Sequence, residues 1–379
     1  MGLPTVVAFT DTYLPTVNGV TYTVETWRDR WVRRGGRMDV VYPDSEHTPR
    51  TGEHPVSSLP LPVYDGFRLG TPQVPDGLRT TEGDLETADV VHAHTPFSLG
   101  IGGLRLSRSL DVPLVASYHT PTAAYAGYLS GRQPIKRLVR ETASSYEQWF
   151  LERADLVVVP SETTARQLWD STAGGTPIRV VSNGVDTELF EPTATDEFVQ
   201  TYGLSADDPI VGYTGRHGHE KRLEVLIEAV SDLCLDVQLV FGGDGPAREG
   251  IEARAASAGV DARFLGFLDR EELPAFYSLL DVFAFPSPVE TEGIVALESM
   301  ACGTPVAGVE AGALGETVTD GTTGYTAAES STDAFRDTLA TTLAHRDRLA
   351  AQCLDRRSDL AVEQSLDCLE RLYRTVLQP

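Results

Sequence analysis

The sequence predicts an α/β protein built from two doubly wound domains. Three observations carry this. Short continuous apolar runs recur along the chain, each closed by a polar residue or glycine. Most are separated by stretches long enough for a crossover helix. The series also breaks once, in a polar and acidic stretch, and then restarts.

Six runs fill the first half: VVAFT (6–10), MDVVYP (38–43), ADVVHAH (88–94), PLVASYH (113–119), DLVVVPS (155–161) and IRVVSNG (178–184). Their length and β-branched content predict parallel strands buried on both faces. Residues 44–86 are rich in proline and glycine and predict loops with short strands. Residues 186–208 read as a linker. The pattern resumes with PIVGYTG (209–215), VQLVFGG (237–243), ARFLGF (262–267), DVFAFPS (281–287), TPVAGV (304–309) and TGYTA (323–327). From about Ser331 the chain is helical to its end. The predicted organisation is domain 1–185, linker 186–208, domain 209–360 and a C-terminal helix 361–379. Two such domains facing one another would form a cleft, with ligands beyond the carboxyl ends of the strands.

Composition narrows the function. Apolar residues make up 41% of the chain, enough for proper cores. No apolar run approaches the ~18 residues of a spanning helix, and the opening MGLPTVVAFTDTYLP reads as a first strand rather than a leader. Four scattered cysteines predict a cytoplasmic, reducing setting and no thiolate zinc site. The net charge of −24 argues against nucleic acid as a partner. With 29 arginines, only two lysines and excess acid, the composition suits high salt. The charge is uneven: residues 1–185 carry 17 basic and 20 acidic side chains, residues 186–379 carry 14 and 35.

The candidate site residues follow strands. Asp11, Asn18 and Gly19 lie after the first, where a helix begins near Gly19. The only asparagines, Asn18 and Asn183, each precede a glycine, so backbone geometry alone accounts for them equally well. The helix predicted over 20–37 carries Val20, Val24, Trp27 and Trp31 on one stripe beside Arg30, Arg33 and Arg37. With Arg132, Lys136, Arg137 and Arg140 these cations suggest contact with an anionic membrane surface, against a plain reading as a core helix with a solvated edge. His92 and His94 are read as pointing to opposite faces of their strand. With no third ligand, that speaks against a shared metal ion. His119 ends a strand and is placed to donate to a sugar hydroxyl or orient a reacting group; a packing role is the alternative.

In GYTGRHGHEKRLEVLI, a strand ends at Gly215 and a helix is expected near His219. Arg216 and Lys221 around it suit a diphosphate, unless they merely pair with Glu220 and Glu224. FGGDGP (241–246) is a weak turn signal, being neither GxGxxG nor a P-loop. The block PSPVETEGIVALESMACGTPVAGVEAG (286–312) places Glu290 and Glu298 about a helix start at Gly293. Helix amides there can hold a phosphate, and carboxylates can accept from paired sugar hydroxyls. In a chain with 55 acids, two glutamates eight apart also arise by chance. No protein nucleophile stands out.

Taken together, TDTYLPTVNGV, HAHTPFSLG, SYHT, ADLVVVPS, GYTGRHGHEKRLEVLI, GGDGP and ETEGIVALESMACGTPVA resemble the retaining nucleotide-sugar glycosyltransferases of family 4, which have the two-Rossmann GT-B fold. The likeness runs in order through nearly the whole chain. SYHT followed by Tyr125 and Tyr128 looks closest to members that glycosylate lipids, such as diacylglycerol glucosyltransferases and sulfolipid synthases. The resemblance implies that Arg216 and Lys221, after Gly215, bind the donor diphosphate and Glu298 the ribose hydroxyls. It implies that Glu290 binds the transferred sugar, with the Gly293, Ile294 and Val295 amides near sugar and phosphate. Gly19 would let the first loop approach the donor, and His119 would lie beside the anomeric carbon. It further implies no metal and no other cofactor, same-face attack assisted by the departing phosphate, and a last helix packed back on the first domain. The expected activity is transfer of a hexose, UDP-glucose being the first choice of donor, to a lipid or lipid-linked acceptor at the inner membrane face. A GDP-mannose-dependent mannosyltransferase is the rival within the class. An epimerase, a phosphorylase or a non-catalytic sugar-nucleotide-binding subunit are rivals outside it. One residue departs from the family pattern: position 292, commonly apolar or aromatic, is Glu and is left to face either sugar or solvent.

Overall fold

The structure, a computed structural model, describes residues 2–60, 68–72, 88–119, 133–171, 175–205, 208–328 and 331–378. It divides into two compact units: residues 1–183 with 363–379, and residues 184–362.

Unit 1 is built on a seven-stranded parallel sheet of β1 (Thr5–Phe9), β2 (Arg37–Pro43), β3 (Glu53–Val56), β6 (Val90–Ala93), β7 (Leu114–Ser117), β8 (Leu156–Val159) and β9 (Ile178–Val180), in the order β3-β2-β1-β6-β7-β8-β9. β4 (Ser58–Pro60) and β5 (Arg68–Gly70) form a separate antiparallel pair. Unit 2 carries a six-stranded parallel sheet of β10 (Ile210–Thr214), β11 (Gln238–Gly242), β12 (Ala262–Gly266), β13 (Val282–Phe285), β14 (Val306–Val309) and β15 (Gly324–Ala327), in the order β12-β11-β10-β13-β14-β15. The strand order reverses beside β1 in one unit and beside β10 in the other, and loops at such switch points form ligand sites. All twelve apolar runs are strands of these sheets. They read clearly because helices cover both faces: Val7, Val91, Val211, Val240 and Phe283 are fully buried, each such side chain contributing roughly 1.5–3 kcal/mol of transfer free energy.

The stretch expected to be a linker is part of unit 2. Phe190, Phe198 and Leu204 enter its core, and a helix spans Asp196–Tyr202. Three apolar anchors hold a segment whose polar composition disguised them. The first helix is Gly19–Arg33, shorter than expected, and Arg37 already belongs to β2. Asn18 does serve the backbone, since its side chain accepts from Thr21 N–H at the helix start.

The helix Val362–Val376 belongs to unit 1. It supplies partners for Arg30 and for Arg34, the residue that ends the first helix. Arg34 pairs with Asp367 at 2.6 Å and donates to Glu363 O. Arg30 is buried and 3.6 Å from the Glu363 carboxylate. Arg37 is bound to Asp39. Arg30 and Arg37 therefore do not form an exposed basic face with Arg33. Of the second cluster, Arg132 lies outside the described residues, as do Tyr125 and Tyr128. The backbone of Lys136, Arg137 and Arg140 falls in the helix Gln133–Leu151, but their side chains lie outside what is described. Among the described residues no helix is long and apolar enough to cross a membrane.

Tyr373 anchors the same C-terminal helix. Its ring meets Trp31 edge-on at 5.6 Å, and its hydroxyl lies 2.6 Å from His92 Nδ1. Both residues are fully buried. Tyr373→Phe keeps the ring and strips the imidazole of that partner. The expected loss is about 1–3 kcal/mol, read as a lower urea midpoint at unchanged m-value.

Candidate functional site

Each unit carries part of the expected set. In unit 2 the loop after β10 is held by backbone packed on backbone. Gly243 has φ +100°, and a Cβ there would lie 2.1 Å from Gly215 O; a Cβ on Gly245 would lie 2.6 Å from His217 O. The hydrogen bonds His217 N–H to Asp244 O and Ala247 N–H to His217 O fasten the two loops. The GGDGP turn, weak as a sequence signal, is thus what fixes Arg216 and the residues after it. The expected helix start at His219 is instead a single 3₁₀ turn, His219–Lys221; the α-helix begins at Leu223.

Lys221 does not pair with a neighbour in sequence. Its Nζ lies 2.5 Å from Glu290 Oε1, with both side chains largely buried. Arg216 does pair with Glu220, as the plain reading had it. Glu290 is itself positioned by backbone: Ala313 N–H donates to its carbonyl, and a Cβ on Gly312 would lie 2.6 Å from that oxygen. Gly293 sits at φ +83°, with Leu314 and Phe285 too close for a side chain. It opens the helix Ile294–Ala301. The Ile294 and Val295 amides precede the first helical hydrogen bond, Ala296 N–H to Gly293 O, and so are available to an anion. Glu292 is buried, which removes the solvent alternative, and Thr317 Oγ1 donates to its carbonyl.

Glu298 is buried within the same helix and accepts from Tyr277 O–H at 2.8 Å. Burial pushes its carboxyl up to about 7, opposed by the Tyr277 hydrogen bond and the charge of Arg270. Tyr277, 21 residues away in sequence, left no signal by which to find it.

In unit 1, Gly19 is exposed at the start of the first helix. Asp11 is not open to a ligand. It accepts from Thr95 Oγ1, Ser98 Oγ and Leu99 N–H, capping the helix Ser98–Leu110. His92 and His94 lie on one side: their rings stack at 4.1 Å and 27°. The expectation of opposite faces was wrong because residues two apart in a strand share a face. His94 Nδ1 lies 3.1 Å from His119 Nε2, the two rings 9° from parallel. His92 completes its bonding through Ser117 Oγ at 2.8 Å, and Trp27 packs against all three imidazoles. Burial pushes His92 down to about 3 and His119 down to about 4, and holds His94 well below its ordinary range. All three are neutral at neutral pH. His94, Ser117, His119 and Glu147 line a cavity of about 30 Å³ together with Phe150 and Val20. That is room for a water or a hydroxyl group. Among the described residues no group of three or more His, Cys, Asp and Glu side chains is gathered as a metal would require.

Two parallel doubly wound units, one with a helix N-terminus flanked by carboxylates and a lysine, define the GT-B class of nucleotide-sugar enzymes. Solved structures share this architecture. The chain matches sucrose-phosphate synthase from Thermosynechococcus elongatus with a TM-score of 0.78 at 23% identity, over 98% of this chain and 99% of that one. It matches Anabaena HepE in complex with UDP and glucose with a TM-score of 0.74 at 17% identity, over 98% and 100%. The profile of glycosyltransferase family 4 covers residues 17–189, and that of glycosyl transferases group 1 covers 194–353. Among curated relatives, the sulfoquinovosyl transferase of Arabidopsis thaliana is 34% identical over 78% of this chain, which spans 58% of that protein. The GDP-mannose-dependent alpha-mannosyltransferase of Mycolicibacterium smegmatis is 33% identical over 80% of this chain and 78% of its own. The alpha-monoglucosyldiacylglycerol synthase of Streptococcus pneumoniae is 27% identical over 79% and 69%. The chain belongs to glycosyltransferase family 4.

Two pH responses of opposite sign follow. For the histidines the folded values lie below the ordinary 6.5, so the stability they contribute is present above pH 6.5 and is lost as pH falls towards 4 and then 3. In an NMR titration His92 and His119 should stay neutral down to about pH 5; a midpoint near 6.5 for either ring would contradict their burial. For Glu298 the folded value lies above 4.5, so its burial erodes stability as pH rises from 4.5 to about 7. The same proton removes an acceptor from the carboxylate. If Glu298 binds donor hydroxyls, the donor KM rises as pH falls through about 7, and Glu298→Gln flattens that dependence.

Proposed function

We propose that the protein moves a hexose from a nucleotide diphosphate sugar to a lipid or lipid-linked acceptor, with retention of anomeric configuration, at the cytoplasmic face of a membrane. The observation that carries the donor half is the Lys221–Glu290 pair beside the open amides of Ile294 and Val295. Without donor, each charge satisfies the other. A diphosphate offers the lysine a stronger anion and the sugar offers the glutamate its hydroxyls, so the donor replaces one contact with two. Arg216 joins Lys221 on the diphosphate, and the nucleotide side falls to Glu298. The reading assigns the phosphates to these cations and helix amides rather than to a metal. His119, neutral and already bonded, acts at the sugar as an orienting group and not as a strong base. The departing phosphate then takes the acceptor's proton.

A lipid acceptor is supported by the alpha-monoglucosyldiacylglycerol synthase among the relatives. They divide on the donor. UDP-glucose remains the first choice. GDP-mannose is the second reading, favoured by a mannosyltransferase that shares more of its own length with this chain than the sulfoquinovosyl transferase does.

Lys221→Ala leaves Glu290 unpaired and removes a charge-assisted contact worth about 1.5–3 kcal/mol. Transfer should fall by roughly tenfold to a hundredfold; a loss within about twofold would sink the donor site as described. A screen of UDP- and GDP-sugars at high salt, with native lipid as acceptor and mass spectrometry of the products, identifies both substrates. Products only on free sugars or on protein would overturn the lipid assignment. Sedimentation with vesicles of anionic lipid tests the membrane face separately.

A further inference from the structure

We propose that Tyr277 is the positioning residue for Glu298, holding its carboxylate in place as an acceptor for the ribose hydroxyls of the donor. The inference rests on the ribose role proposed for Glu298 above.

The tyrosine hydroxyl donates to Glu298 Oε2 at 2.8 Å. An ionised carboxylate carries no proton, so in that state the direction of the bond is fixed. Tyr277 is fully buried, and Glu298 keeps only 5% of its surface open. The Tyr277 ring lies edge-on to Phe276 at 5.6 Å and to Phe283 at 5.7 Å. Thr304 clamps the two helices that carry the pair, Leu273–Leu279 and Ile294–Ala301. Its Oγ1 donates to Tyr277 O at 2.6 Å. Its N–H donates to Ser299 O at 3.0 Å, and its carbonyl accepts from Ser299 Oγ at 3.0 Å. Ser299 follows Glu298 directly in the chain. The clamp therefore acts on the tyrosine itself and one residue from the carboxylate.

Glu298 is not there merely to satisfy a buried hydroxyl. A tyrosine needs one acceptor, and a backbone carbonyl supplies it without burying a charge. A carboxyl placed in the core costs far more, because its charged form loses its hydration. Burial pushes Glu298 up to about 7, and a neutral carboxyl gives up part of its capacity to accept from hydroxyls. Tyr277, the charge of Arg270 and the Cys302 thiol act on it. Burial pushes the thiol up to about 12, so it stays neutral. Tyr277 and Arg270 both favour the anion, and the tyrosine bond is the larger influence. Without it the carboxylate loses both a fixed orientation and its main support as an anion.

The test is binding of UDP and of GDP to the full-length protein by calorimetry, from mildly acidic to mildly alkaline pH. Wild type, Tyr277→Phe and Glu298→Gln are compared. At neutral pH Tyr277→Phe should weaken nucleotide binding about tenfold, the value of one hydrogen bond. Its loss of affinity on acidification should begin at higher pH than in wild type, so the gap narrows as pH rises. Glu298→Gln should bind weakly and lack that midpoint, while the phosphate's own titration is common to all three proteins. Placing 3-fluorotyrosine at position 277 keeps the ring, makes the hydroxyl a stronger donor and should move the midpoint to lower pH. A midpoint unmoved by fluorination overturns the proposal even where Tyr277→Phe disturbs packing. So does wild-type affinity in Tyr277→Phe beside weak binding in Glu298→Gln. Wild-type affinity in Glu298→Gln, or a wild type that binds neither nucleotide, overturns the ribose role beneath the proposal and the proposal with it.

Discussion

The loops of unit 2 depend on backbone meeting backbone where no side chain fits. Gly243 against Gly215, Gly245 against His217 and Gly312 against Glu290 each bring a Cα within reach of a carbonyl oxygen. A methyl group at any of them would sit 2.1–2.6 Å from that oxygen, closer than any real contact. These approaches let two loops from different strands lie in one layer. The 3₁₀ turn bearing Lys221 and the loop bearing Glu290 then stand at ion-pair distance across 69 residues of sequence. Loosen the loops and the charges remain in the chain but no longer meet.

Unit 1 solves a different problem. It buries three imidazoles where most proteins bury aliphatic groups. Desolvation keeps them neutral, and neutrality lets His92 and His94 stack face to face without repulsion. A proton added to any of the three would place a charge where burial disfavours it. Chemistry that needs a cationic histidine is therefore foreign to this site at neutral pH, which agrees with a reaction in which the leaving phosphate handles the proton.

How much of this was legible in the sequence depends on the range of the interaction. The strands were plain, since a parallel strand buried on both faces is apolar at every position. The approach of Lys221 to Glu290 was not announced by spacing, but both residues lie within blocks that resemble a known family. What escaped was long-range or dependent on one correct step of geometry. Tyr277 reaches Glu298 from another helix, and no spacing announces it. The linker reading failed because Phe190, Phe198 and Leu204 are few among many polar neighbours. The two histidines were misjudged by applying the alternation of strand side chains to residues two apart. The first helix was left between a membrane contact and a core helix with a solvated edge because the partner of Arg30 and Arg34, the helix carrying Glu363 and Asp367, comes some 330 residues later.

That late helix has a consequence for how the molecule is made. Unit 2 is one continuous segment, whereas unit 1 is interrupted by it. During synthesis unit 2 has all its strands before the helix Val362–Val376 exists. Until that helix emerges, Trp31 lacks its aromatic cover and His92 lacks the Tyr373 hydroxyl. The nascent chain therefore passes through a stage with a complete unit 2 and an unfinished unit 1.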